Sequence, residues 1–315
     1  MAGVAAVALR PGGPEAWARH AAPALAEAWT TLGDAVPWPW TPPLAAALLV
    51  IAVLLARRAR GRGHATARLL GLGLLIAAGF EATWGLNARL PAAPERLGLV
   101  TAREVSVPAD EGAMQAMARR LPDIVRRDAP SGRLDEAAAF AAVRDALTKL
   151  APGRPLPTRP KVLPGPILGP WGVAGVISPW TLEAHVDGGL PPWTRTAVAA
   201  HELAHLAGFA SESDAEFVGL LAALRADHPH ARYAGALRAW TWLGGDLRDV
   251  GTLPPRAQRD LAALRKARER RDETVSHVAW ALYDRWLRVR GQPAGTAGYA
   301  EGPRWLARAG AAGWW

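Results

Sequence analysis

The strongest constraint on this chain is a pair of apolar runs near its amino terminus. From Ala35 to Ala56 it reads AVPWPWTPPLAAALLVIAVLLA without one charged residue. The uninterrupted aliphatic part, Leu44 to Ala56, is short, but with the Trp-Pro approach it reaches the roughly twenty residues that a bilayer crossing needs. Trp38 and Trp40 fall where interfacial aromatics belong. A second run, LLGLGLLIAAGF, covers Leu69 to Phe80 and can extend through Glu81 towards Leu86. Between them, RRARGRGHATAR carries Arg57, Arg58, Arg60, Arg62 and Arg68 and no acid. A short, purely basic loop stays cytoplasmic under the positive-inside rule, which puts both termini outside. The expectation is a two-helix transmembrane hairpin over residues 35–89. The competing reading is a pair of buried core helices joined by a solvated basic turn.

The segment before the hairpin, residues 1–34, is expected to be extracytoplasmic. Its first nine residues are apolar but too few, and lack the basic start, for a cleaved signal peptide. Pro14 to Thr31 has the pattern of an amphipathic helix carrying Trp17 and Trp29, suited either to the membrane surface or to packing on the folded domain. Trp84 to Leu99 (WGLNARLPAAPERLGL) is rich in turn-formers and reads as a connector into the remaining domain, residues 90–315.

That domain is expected to be mainly α with a small β-sheet. Helical spacing marks Asp110 to Arg127, Leu134 to Leu150, Thr194 to Ala207, Ser213 to Arg225, Tyr233 to Leu243 and a long stretch from Pro255 to Arg290. Pro152 to Pro170 reads as extended. Val173 to Asp187 (VAGVISPWTLEAHVD) gives the best strand signal, broken at Ser178-Pro179. It serves either as an edge to which an extended peptide adds or as a plain core strand.

The chain contains no cysteine, so a metal could be held only by His, Asp or Glu. The formal charge of +9 invites a nucleic-acid reading. Only Lys149, Lys161 and Lys266 are lysines, however, and no basic patch is interleaved with aromatics, so nucleic acid is not expected as a partner. The basic run Arg265 to Arg271 reads as a solvated helix face.

Chemistry concentrates in HELAHLAGFASESDAEF, His201 to Phe217. On a helix His201 and His205 stand one turn apart on one face, so both imidazoles can address one cation. Glu202, rotated about 100° from His201, falls beside that cation, where a base acting on activated water belongs. AVAAHELAHLAG has no other charge, which implies a buried helix and a dry site. A third ligand is required. Ser211 occupies the place where the extended pattern would carry a third histidine. Past the Gly208 turn come Glu212, Asp214 and Glu216. Glu212 and Glu216 share a face, so one can ligate while the other orients a histidine. Glu212 is favoured because Glu216 begins a face shared with Leu220, which should pack inward; Glu216 and Asp214 remain the alternatives. Glu183 and His185 could approach the metal, and Tyr233 or Tyr283 could donate to an oxyanion, though core roles suit all four. His228, His230 and His277 carry no ligand spacing.

Five stretches, WGLNARLPAAPERLGL, GVAGVISPWTLEAHVD, AVAAHELAHLAGFASESDAEF, ARYAGALRAW and ALYDRWLRVRGQPAGTAGYAEG, resemble the bacterial membrane proteins of the DUF3810 family, whose members look like zincin-type metallopeptidases. The likeness covers most of residues 84 to 303 in order. It departs at Leu206, where that family usually has Gln, and at Asp214-Ala215-Glu216, where it has Glu-Ala-Asn. The resemblance implies a zincin-like domain behind the two membrane helices, in a multi-pass protein of the bacterial inner membrane. The expected activity is zinc-dependent hydrolysis of a peptide or protein substrate outside the cytoplasm, with Zn2+ on His201, His205 and Glu212 and Glu202 as base. The rival expectation is a non-catalytic membrane sensor or binding module that keeps the fold. An intact Glu202 favours the enzyme, because a scaffold needs ligands but no base.

Overall fold

The structure is a computed structural model that describes residues 10, 12–100, 111–243, 250–289 and 295–315. The apolar residues 1–9 weighed above as a leader lie outside the described residues. The chain is mainly helical, with one three-stranded sheet.

A long helix α1 (Gly13–Asp34) precedes two apolar helices, α2 (Thr41–Arg57) and α3 (Arg62–Thr83), which run back along each other. Neither α2 nor α3 buries a single side chain. Leu49, Val50, Ile51, Leu70, Leu74 and Leu75 all face outward. Among the described residues α3 is the one helix long and apolar enough to cross a membrane. The first apolar helix is shorter than its sequence suggests, at 17 residues, because the Trp-Pro approach is not part of it. The backbone N–H groups of Trp40 and Thr41 instead donate to the Glu183 carboxylate at 2.9–3.2 Å. That places a negative charge on the orphan donors at the helix N-terminus, where charge and dipole agree.

The same face of the sheet holds the end of α1. Lys161 Nζ donates to the carbonyls of Gly33 and Val36, a cation on the carbonyls at a helix C-terminus. Trp17 packs with Ala22 and Leu86 and donates its indole N–H to Ala82 O at 3.0 Å, so α1 lies on the folded domain and the hairpin root.

The connector carries a short helix α4 (Ala93–Arg96). Helices α5 (Glu111–Asp128) and α6 (Glu136–Leu150) follow, the latter capped by the Asp135 side chain on Ala138 N–H. The sheet then forms from β1 (Lys161–Leu163), β2 (Gly175–Ser178) and β3 (Glu183–Asp187), in the order β1-β3-β2. The strand signal over Val173 to Asp187 breaks where expected, at Ser178-Pro179, and its two parts form a hairpin: Pro179 ends β2, and β3 returns antiparallel to it as the central strand. Of the two strands of the hairpin, β2 is the one at an edge. β1 hides in the proline-rich stretch and pairs parallel to β3.

Helices α7 (Pro192–Leu206), α8 (Glu212–Arg225) and α9 (Pro229–Trp242) build the core together with α5 and α6. Every residue of α8 from Ala215 to Leu224 is buried. Much of the contact is small: Ala199, Ala200, Ala204, Ala222, Ala223, Ala234 and Ala236 are all buried, which lets the helices approach closely. Phe217, Leu221, Tyr233 and Leu237 fill the remainder, each buried apolar side chain contributing roughly 1.5–3 kcal/mol.

The long helical stretch expected from Pro255 to Arg290 consists of two helices, α10 (Pro255–Arg268) and α11 (Glu273–Val289). The break falls in the charged run, which offers no apolar anchor. There Asp272 donates its N–H to Pro170 O and caps the new helix through its carboxylate on Val275 N–H. A last helix, α12 (Gly302–Ala311), packs on α5 and α8.

Candidate metal centre

The site is made by two consecutive helices and the turn between them. α7 ends at Leu206, and Gly208 takes a left-handed backbone (φ +94°) that a side chain would strain. Ser211 then caps α8 by accepting from Asp214 N–H at 3.1 Å. α8 runs back along α7 with Glu212 in its first turn and Glu216 one turn on. Gly219, on the same face, lets the two backbones touch: a Cβ there would stand 2.7 Å from Ala200 O and 2.9 Å from His201 N.

His201 Nε2 lies 3.1 Å and His205 Nε2 3.5 Å from the same oxygen, Glu212 Oε2. One ligand atom from each of the three residues falls within 4.8 Å of the others. Ligands held at about 2.0–2.2 Å in a tetrahedron stand roughly 3.3–3.6 Å apart, so the 3.5 Å edge matches a zinc site and the 3.1 Å edge, a direct hydrogen-bond distance, is slightly shorter. The remaining ring nitrogens face outward to other partners. His205 Nδ1 is 2.8 Å from Phe209 O, a carbonyl that can only accept, which fixes the proton there and leaves Nε2 as the lone pair. His201 Nδ1 is 2.9 Å from Glu216 Oε2. That contact is close but off the donor axis, so Nδ1 lacks a well-formed hydrogen bond and the attraction is mainly electrostatic. Arg238 Nε, donating to Glu216 Oε1 at 2.7 Å, locks the orienting carboxylate.

The buried ionisable groups of the site shift one another strongly. Burial alone would push Glu212 up, yet His205 and His201 hold it well below the usual carboxylate range. Burial also opposes ionisation of Glu216, but Arg238 first and His201 next bring it down to about 2. Burial would lower His201, and Glu212, Glu216 and Glu202 instead raise it well above the ordinary histidine value. Two imidazoles and a carboxylate thus point at one spot, with further carboxylates close by and Arg238 answering Glu216. The residues present therefore fit a divalent cation.

Glu202 does not share the ligand face. It is buried, and burial, followed by the repulsion of Glu212, raises its carboxyl above the ordinary value against the pull of His201 and His205. Its neighbour is the edge strand: a Cβ on Gly175 would sit 2.7 Å from Glu202 Oε1 and 2.6 Å from Val198 Cγ1. Only glycine leaves β2 this close to the side chain.

The other candidates fall in separate places. Asp214 turns away from the ligand face, takes a hydrogen bond from Ala93 N–H and faces Arg96. Arg96 in turn donates to Gly208 O at 2.7 Å and covers the Phe209 ring. Tyr233 is core, its hydroxyl bound to Asp260 at 2.6 Å. Glu183 serves α2, and His185 Nε2 lies 3.6 Å from it on the same sheet face. His230 accepts from Asp135 N–H, and His277 is exposed on α11. Tyr283 does reach the site: its hydroxyl donates to Glu212 Oε1. Three contributors carried no sequence signal of their own. These are Arg238, Gly175 and Trp84, whose indole N–H donates to His205 O at 3.3 Å and whose ring meets the His205 ring edge-on. Their only trace was that each lies in a stretch quoted above for its resemblance.

The family model described as "Protein of unknown function (DUF3810)" matches residues 42–307, from the start of α2 into α12. The chain belongs to DUF3810. No curated protein and no solved structure matches it. The DUF3810 match thus spans both the apolar helices and every residue of the candidate metal centre.

Proposed function

We propose that this DUF3810 protein is a membrane-anchored zinc metallopeptidase of zincin type. The observation that carries the reading is the convergence of His201 Nε2, His205 Nε2 and a Glu212 oxygen in a buried site. His201, His205 and Glu212 would hold Zn2+, with Glu216 and the Phe209 carbonyl orienting the two rings. When bound, zinc supplies the Lewis acidity that makes water a nucleophile near neutral pH. Glu202 handles the proton, taking it from the attacking water on its carboxylate and giving it to the leaving amine. A buried carboxyl with a raised pKa suits both transfers. A peptide or protein substrate adding along the β2 edge would run its backbone close to Glu202, which Gly175 allows to pack directly against that strand.

The two apolar helices are read as a bilayer-crossing hairpin. α3 spans about 33 Å and α2 about 25 Å at 1.5 Å per residue, against a core of about 30 Å. Arg57 and Arg58 at the end of α2 can reach the interface and make up the shortfall. With the basic turn inside, the catalytic domain stands outside the cytoplasm of a bacterial inner membrane.

The test is zinc content together with cleavage of a mixed peptide library by the purified full chain. Glu202→Gln should keep its zinc and lose hydrolysis. Zinc-loaded parent protein that cuts nothing, and behaves as Glu202→Gln does, would establish a binding module in place of an enzyme.

A further inference from the structure

Helix α11 has two working faces. One is turned into the protein, where Ser276 and Leu287 are buried and the Tyr283 hydroxyl reaches Glu212. The other carries Val278, Leu282, Trp286 and Val289, spaced to form one stripe about 16 Å long. All four are exposed, Leu282 at 65% and Val289 at 79%. A stripe of this size on water is costly and marks a contact surface.

Its position says what covers it. Trp286 meets Phe80 edge-on at 6.3 Å between ring centroids, and Phe80 belongs to the last turn of α3. Phe80 also contacts Trp180, whose indole N–H donates to Ile76 O on the same helix. The stripe is therefore continuous, through Trp286 and Phe80, with the apolar surface of the hairpin. Tryptophans gather at that level, as they do where a protein meets lipid headgroups. Arg285, exposed at the edge of the stripe, suits an anionic headgroup layer.

We infer that α11 lies in the membrane interface with Val278, Leu282, Trp286 and Val289 in the lipid, so that this one helix stands between the metal centre and the bilayer surface. The substrate class that follows is a polypeptide segment held at the membrane surface. The lipid contact rests on the membrane reading of the hairpin and is independent of zinc or hydrolysis.

The absence of cysteine makes the test direct. Single cysteines Leu282→Cys, Leu74→Cys and Ser131→Cys are labelled with an environment-sensitive fluorophore. The full chain is reconstituted in phosphatidylcholine vesicles containing a minor share of phosphatidylglycerol, with and without nitroxide-bearing acyl chains. The label at position 282 should lose roughly half its emission or more to the lipid nitroxide and shift to the blue, as at 74, while the label at 131 responds only to aqueous iodide. A 282 label quenched by iodide and untouched by the nitroxide overturns the inference. A label shielded from both overturns it in favour of a protein occupant. If position 74 is also blind to lipid, the hairpin reading fails and the α11 contact fails with it, whatever the peptidase assay shows.

Discussion

Gly219 is the place where the smallest change should do the most to the metal centre. Residues 212, 216 and 219 lie on one face of α8, the face against α7. A methyl group at Gly219 would stand 2.7 Å from Ala200 O, 2.8 Å from Ala200 C and 2.9 Å from His201 N. All three are backbone atoms, so no side chain can swing aside. Carbon contacts relax to about 3.5 Å or more, so the helices must part by roughly 0.7 Å. A zinc site tolerates ligand displacements of only about 0.2 Å. Gly219→Ala should therefore cost about 1–3 kcal/mol of stability, a melting temperature lower by about 2–12 °C. It should also weaken zinc binding by on the order of 10-fold or more, because both carboxylates move together. Thermal unfolding and chelator competition on the detergent-solubilised chain measure the two effects. Gly251→Ala, which meets nothing within 4 Å, is the control and should change neither. A Gly219→Ala protein that melts and binds zinc like its parent would refute the reasoning. So would one that loses stability with its zinc affinity intact, since the argument couples the two.

The third ligand is tested by pairing Glu212→Ala with Glu216→Ala: the first should empty the site, while the second should lower zinc affinity by about 10–100-fold. Arg238→Gln, which frees the orienting carboxylate, should resemble Glu216→Ala more weakly in the same chelator competition. Tyr233→Phe should cost about 1–2 kcal/mol in melting experiments and leave kcat unchanged, because its hydroxyl serves Asp260 in the core. Asp128 is buried, yet its bonds to Arg127 and Arg232 hold its pKa below the ordinary value. A depressed carboxylate stabilises above its unfolded pKa of about 3.9 and stops doing so as pH falls through its folded value. The deficit of Asp128→Asn in unfolding titrations should thus be full at pH 7 and vanish in acid. Impermeant thiol reagents on intact cells should label a cysteine placed on the exposed surface of the domain and spare one placed in the Arg57–Arg68 loop.

What could be read from the sequence were features carried by short range. The i, i+4 histidines, the Gly208 turn and the two carboxylates beyond it are all consequences of helical period and a left-handed glycine, and the geometry at Glu212 follows from them. The different surroundings of Glu212 and Glu216 do not follow locally, since Glu216 takes its hydrogen bond from Arg238 on α9, 22 residues further on, while Leu220 packs inward behind it. Tyr283 carries no local signal of its place, because 71 residues separate it from Glu212 and no short-range pattern reports such a contact. β1 was hidden by prolines, and its pairing with β3 depends on a chain 24 residues further on. The first apolar helix is shorter than its uncharged run. Its Trp-Pro approach is uncharged and aromatic, as membrane flanks are, but its N–H groups answer to a carboxylate on the sheet.

That carboxylate has a consequence for how the protein is made. Trp40 and Glu183 are 143 residues apart, so at about 5–20 residues per second the ribosome takes about 7–29 s to deliver the second after the first. Lys161 reaches Gly33 across a gap of 128 residues in the same way. Throughout that interval α1 and the start of α2 exist without the surface that later grips them. Glu183 and Lys161 can therefore close only on amino-terminal segments that have already left the ribosome.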